Sequence, residues 1–137
     1  MDGILFLDDS YNSNPGSFRA ALETLKSFMT RGKKGVVCGD MLELGADSEV
    51  HHREMGVFTA DFLFDFVIAC GVQSKFLVEE AVKAGYDQSK IYHVKDSAEA
   101  AQCCRKLASP GDLILVKGSR GMQMEKVFEC FISCSTP

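Results

Sequence analysis

Apolar residues in this chain alternate between short unbroken runs and longer stretches in which every third or fourth position is apolar. Ile4, Leu5, Phe6 and Leu7 form the first run, the pattern of a strand buried on both faces of a parallel sheet. Phe18, Leu22, Leu25 and then Phe28 or Met29 follow at helical spacing. Asn14 is placed to cap that helix, Pro15 suits its first position, and Thr30, Arg31 and Gly32 predict its end. A second strand over 35–39 runs into Asp40, and a loop covers 41–47. Ser48 is predicted to cap a helix with Met55, Phe58, Phe62 and Leu63 on one face. A third strand over 66–70 leaves through Gly71, and a third helix over 74–84 closes at Gly85. A short strand over 91–94 precedes Asp96, Ser97 and Glu99, which look like a capping box for a helix that Ser109, Pro110 and Gly111 end. The fifth strand covers 112–117, and the last helix presents Met124, Val127, Phe128 and Phe131.

Strict alternation of strand and helix predicts an α/β fold: three layers around a mostly parallel, Rossmann-like sheet, one domain spanning 1–137. Right-handed crossovers put every strand's C-terminal end on one edge, where open α/β sheets take ligands. Asp8, Asp9, Tyr11, Asn12 and Asn14 gather there from the first strand, and Gly39, Asp40 and Glu43 from the second. Lys117, Ser119 and Arg120 come from the fifth, whereas the third and fourth ends bring only Cys70, Gly71, Lys95 and Asp96.

Composition narrows the classes. A net charge of −4 without a basic block speaks against nucleic acid as a partner. The first apolar run is too short for a signal peptide, and the stretch 62–71 is broken by Asp65 and too short to span a bilayer. Six cysteines form neither a CxxC pair nor a zinc pattern with the histidines, so they read as reduced core thiols in a cytoplasmic protein. No metal site is expected.

Asp8 and Asp9 have three open uses: holding a metal, accepting from ribose hydroxyls, or capping. The stretch 117–121 sets two cations, a hydroxyl and free amides at a helix start, a combination suited to carboxylate or phosphate. Neither GxGxxG nor GxxxxGK[ST] occurs, so the chain has no phosphate cradle of its own. His51 and His52 read as surface residues with one possible cleft-facing member, and His93 reads as structural. Tyr11 suits a pocket wall or a base stack. No nucleophile, histidine and acid fall into a linear arrangement for covalent catalysis. A phospho-acceptor receiver domain would need an aspartate ending the third strand, where Cys70 stands.

Three segments together resemble the C-terminal domain of the Mur ligases: Asp8-Asp9-Ser10-Tyr11-Asn12-Ser13-Asn14-Pro15, Gly39-Asp40-Met41-Leu42-Glu43-Leu44-Gly45 with a downstream histidine, and Leu115-Val116-Lys117-Gly118-Ser119-Arg120-Gly121-Met122. Within that family the chain looks most like the branch that adds D-alanyl-D-alanine to the UDP-N-acetylmuramoyl tripeptide in peptidoglycan precursor synthesis. The resemblance implies a bacterial, ATP- and Mg²⁺-dependent amide-forming ligase acting through an acyl phosphate. It implies ATP contacts from Asp8, Asp9, Tyr11, Asn12 and Asn14, and substrate contacts from Asp40, Glu43, His52, Lys117, Ser119 and Arg120. The phosphate loop and magnesium ligands would belong to a central domain and the UDP site to an N-terminal one. Both are expected to be missing from residues 1–137, leaving a domain that is inactive alone and closes over its partners. The alternative is a stand-alone nucleotide-binding or interaction module of the same fold.

Overall fold

The computed structural model describes residues 3–135; the side chains of Cys130 and Cys134, read above as core thiols, lie outside the described residues. The strands β1 (Leu5–Asp9), β2 (Lys34–Gly39), β3 (Phe66–Cys70), β4 (Ile91–Val94) and β5 (Leu113–Lys117) pair in parallel throughout. Their spatial order is β1-β5-β2-β3-β4. From β1 the chain steps to β2, β3 and β4 in one direction, then returns to insert β5 between β1 and β2. Right-handed crossovers therefore place the helices of the outward steps on one face and those of the return on the other. One core holds Phe18, Leu22 and Leu25 of α1 (Pro15–Ser27), Met55 of α2 (Ser48–Phe62) and Leu77 of α3 (Ser74–Lys83). The opposite core holds Ala100 and Cys104 of α4 (Ser97–Leu107) with Val127 and Phe131 of α5 (Lys126–Ser135). This is the three-layer parallel α/β architecture expected. No helix among the described residues is long and apolar enough to cross a membrane.

Local signals account for most boundaries. Asn14 Oδ1 accepts from the Ser17 amide at 2.9 Å while Ser17 Oγ accepts from the Asn14 amide at 3.0 Å, a reciprocal cap with Pro15 at the first helical position. Asp96 caps α4 through the Glu99 amide, but the Glu99 carboxylate reaches back to the Lys95 amide, one residue beyond the usual box.

Four expectations are corrected. β1 is an edge strand, with Leu5 67% exposed, because β5 covers only one of its sides. α1 stops at Ser27, and Phe28 and Met29 leave its apolar face for solvent. Thr30 Oγ1 and the Gly32 amide both bond the Gly111 carbonyl, and the Lys33 amide bonds Asp112 Oδ1, so the chain turns away early to meet that loop. Leu63 is an exposed left-handed C-cap (φ 55°), and Phe64 takes the buried place, stacked on Phe62. Ser48 is the first residue of α2 rather than its cap, and its hydroxyl donates to Gln73 Oε1.

Candidate functional site at the end of strand β5

The chain reverses direction at β5, so the loops after β1 and β2 lead to one face of the sheet and the loop after β5 to the other. A crevice opens between such loops, the usual ligand position in open α/β sheets. Alternation along β5 points Leu113, Leu115 and Lys117 toward the α1–α2 core. Lys117 is 1% exposed, and an ammonium in that position must be paired. Its Nζ lies 3.0 Å from Asp9 Oδ2, on the residue opposite it in register, and also donates to the Asn12 carbonyl. Lys117 thereby latches the elbow between β1 and α1 to the centre of the sheet. One Asp9 oxygen is held, and the half-exposed carboxylate keeps the other toward the crevice. Asp8 Oδ1 accepts from the Ser10 amide and hydroxyl, closing a tight turn.

The loop after β2 is fixed from two sides. His52 is 1% exposed; its Nδ1 donates to the Ser48 carbonyl at 2.7 Å and its Nε2 accepts from the Met41 amide at 3.0 Å. The Leu42 amide donates to Ser119 Oγ at 3.2 Å, tying this loop to the one after β5. A Cβ at Gly121 would lie 2.8 Å from Leu42 Cδ1, so the two loops pack closely here. Directly after these tie points Glu43 adopts φ 64°, a left-handed conformation uncommon outside glycine and asparagine. Across the crevice the Arg120 guanidinium lies 4.2 Å from the centre of the Tyr11 ring, a cation–π contact.

That stack separates two cavities. One, of about 310 Å³, is lined by Tyr11, Asn12, Leu42, Glu43, Ser119, Arg120 and Gly121. The other, of about 370 Å³, is lined by Asp8, Asp9, Ser10, Tyr11, Arg120 and Glu125. Seven expected site residues therefore converge: Asp8, Asp9, Tyr11, Asn12, Glu43, Ser119 and Arg120. Glu125 was missed, although an acid just ahead of the last helix is a readable signal.

Four expected ligand residues make contacts within the protein. Asp40 is 6% exposed and accepts from the Ser74 amide and hydroxyl at 2.7 Å each and from the Gln73 amide at 3.1 Å, so it caps α3 from another strand. His52, expected at the surface or in the cleft, is a core residue with both ring nitrogens engaged. Lys117 points inward to its latch. Asn14 commits its side-chain carbonyl to the α1 cap, although its amide nitrogen stays available. Exposed His93 reaches the Gly71 carbonyl through Nε2 at 2.7 Å, a structural contact.

Cys38 on β2 and Cys70 on β3 are both buried. Burial, with the Asp40 carboxylate adding repulsion, pushes the Cys70 thiol up to about 12. Burial chiefly drives Cys38 upward as well, so both remain protonated thiols rather than nucleophiles. Among the described residues no three His, Cys, Asp or Glu side chains are grouped to hold a metal ion.

Residues 1–120 match the family model for the Mur ligase, glutamate ligase domain. The chain belongs to the Mur ligase family. It is 36% identical over 130 residues to the UDP-N-acetylmuramoyl-tripeptide--D-alanyl-D-alanine ligase of Bacillus subtilis, covering 95% of this chain and 28% of that ligase. The Escherichia coli ligase of the same name is 36% identical over 125 residues, covering 90% of this chain and 26% of the ligase. Among solved structures, MurF of Acinetobacter baumannii superposes with a TM-score of 0.84 at 31% identity, covering 97% of this chain and 29% of that one. MurF of Thermotoga maritima in complex with ADP gives 0.76 at 30%, covering 96% and 28%. This Mur ligase domain thus spans about a quarter of the length of the curated relatives it matches.

Proposed function

We propose that this Mur ligase domain works as the C-terminal part of a bacterial, cytoplasmic ligase that joins D-alanyl-D-alanine to the UDP-N-acetylmuramoyl tripeptide with ATP. The observation that carries the reading is the pair of cavities sharing the Tyr11–Arg120 wall. On one side Asp8 and Asp9 suit ribose hydroxyls, with Lys117 orienting the Asp9 carboxylate. On the other, Arg120 and the amides near Ser119 suit the dipeptide carboxylate. One wall between them brings nucleotide and amine within reach of a single acyl centre. Asn12 lines the dipeptide side. Asn14 is left with its amide nitrogen to offer the nucleotide.

In the proposed reaction the terminal carboxylate of the tripeptide takes the γ-phosphoryl group of ATP and becomes an acyl phosphate. The dipeptide amine attacks that carbonyl, and the tetrahedral intermediate expels phosphate to leave the amide. Residues 1–137 contain no phosphate loop, so phosphoryl transfer belongs to a central domain and tripeptide binding to an N-terminal one. Asp8 and Asp9 do not fit a magnesium site: one is tied into its turn, the other paired with Lys117, and among the described residues no third ligand joins them. The ion that accompanies ATP is assigned to ligands outside this domain. Closure over the other domains would exclude water and align amine with acyl phosphate.

The test is a fusion in which this chain replaces the corresponding segment of the Bacillus subtilis relative. The fusion should release phosphate only with ATP, tripeptide and D-alanyl-D-alanine together, and the unfused chain should release none. Arg120→Ala in the fusion should raise the KM for the dipeptide about ten- to a hundredfold and leave that for ATP unchanged, as expected for a charge-assisted bond. A fusion that folds and binds ATP yet stays inactive would favour the stand-alone module.

A further inference from the structure

Two opposite charges face the smaller cavity without meeting. Glu43 and Arg120 both line it, yet among the described residues neither has an ion-pair partner, and the Glu43 carboxylate has no hydrogen-bond partner either. Glu43 is also held at φ 64°, where glycine would be the unstrained choice. The two residues ahead of it are fixed: a buried histidine holds the Met41 amide, and a buried serine holds the Leu42 amide. Two buried side chains thus fix the loop that presents a carboxylate with no ion pair or hydrogen bond of its own among the described residues. Backbone strain maintained by its surroundings is characteristic of ligand clamps.

We propose that Glu43 recognises a protonated amine, with Arg120 taking the carboxylate of the same ligand, so that the cavity selects a zwitterion with a free amino terminus. The inference rests on the reading of this crevice as the dipeptide site and adds the group that reads the amine. Glu43 is therefore a specificity residue, placed to accept from the ammonium before the amine reaches the acyl centre. Arg120 would leave part of its stack on Tyr11 to reach the carboxylate.

The experiment uses this chain, labelled with ¹⁵N, and follows amide shifts during titration with D-alanyl-D-alanine, its N-acetyl derivative and L-alanyl-L-alanine. In the wild type the free D,D-dipeptide should move residues 41–45 and 119–121 at concentrations about ten- to a hundredfold below those the acetylated form requires. Glu43→Gln should abolish most of that preference while keeping the left-handed backbone. Glu43→Gly should abolish it too, and should melt no lower than the wild type, since glycine takes this conformation freely. A structural role for Glu43 predicts the opposite pair of results: a lower melting temperature for Glu43→Gly and an intact amine preference. Equal binding of acetylated and free dipeptide to the wild type overturns the proposal. So does the absence of shifts with every dipeptide at tens of millimolar. Free-amine preference for the L,L-dipeptide alone, lost in Glu43→Gln, would uphold the zwitterion site and overturn the D-alanyl-D-alanine reading. An active fusion whose Glu43→Gln variant keeps its amine preference would remove only the present inference.

Discussion

Lys117 and Asp9 share one ion pair but not one environment. The lysine is buried and the aspartate side chain is 48% exposed. Removing the aspartate leaves an ammonium in the core with only the Asn12 carbonyl, whereas removing the lysine leaves a carboxylate that water can reach. Asp9→Ala should therefore destabilise by about 3–5 kcal/mol, as for breaking a buried pair. Lys117→Met, which fills the same space, should cost about 1–3 kcal/mol. Urea denaturation of the two variants measures the difference, and the reverse order would mean that the latch does not carry the elbow. In sequence, Lys117 and Arg120 look like equivalent cations after a strand. Strand alternation turns one inward, while the turn after Gly118 leaves the other at the surface.

At the scale of elements, the ends of strands and helices are joined by side chains from elsewhere in the chain. The residue ahead of α3, Gln73, has helical φ and ψ and makes no side-chain cap. Its first amides are satisfied by Asp40, from the end of β2. Gly71 makes room for this: a Cβ there would lie 2.5 Å from the Asp40 carboxylate. Asp40→Ala should cost about 1–3 kcal/mol through the lost cap and the orphaned buried donors. Hydrogen exchange should quicken in the first turn of α3 and stay unchanged in α4, which carries its own Asp96 cap. Uniform acceleration in both helices would contradict the assignment. The capping of α1 was readable because Asn14 and Ser17 are neighbours. That of α3 was not, because its cap lies 33 or 34 positions away from the amides it serves.

Over the whole molecule, the buried ionisable groups set a limit at high pH. Burial pushes up Cys38, Cys70 and Tyr86, whose hydroxyl donates to the Phe64 carbonyl. For each, the folded value lies above the unfolded one, so its contribution is complete below about pH 9. It fades as pH rises, for Cys70 toward about 12, because the unfolded chain releases protons that the folded chain keeps. Each group should remove about 1.4 kcal/mol per pH unit within its window. Urea midpoints should fall steeply from about pH 9 upward, and Cys70→Ala should show a shallower fall, whatever its stability at neutral pH. An unchanged slope would show that the Cys70 thiol does not titrate between the two states.

The sequence by itself determined the number, kind and order of the elements, the α1 cap, and the three loop segments that make the site. These are local properties: a run of apolar residues, a 3.6-residue period, or a capping side chain three positions from its amide can be read without knowing the neighbours. Tertiary structure alone decided that β5 lies between β1 and β2, and so that these particular loops meet at one crevice with β1 left at the edge. It also decided which polar residues face the crevice. Asp9, Glu43 and Arg120 look no different along the chain from Asp40, His52 and Lys117. What separates the two groups is whether folding buries the side chain among its partners or leaves it at the cavity with at least part of its hydrogen-bonding capacity unspent.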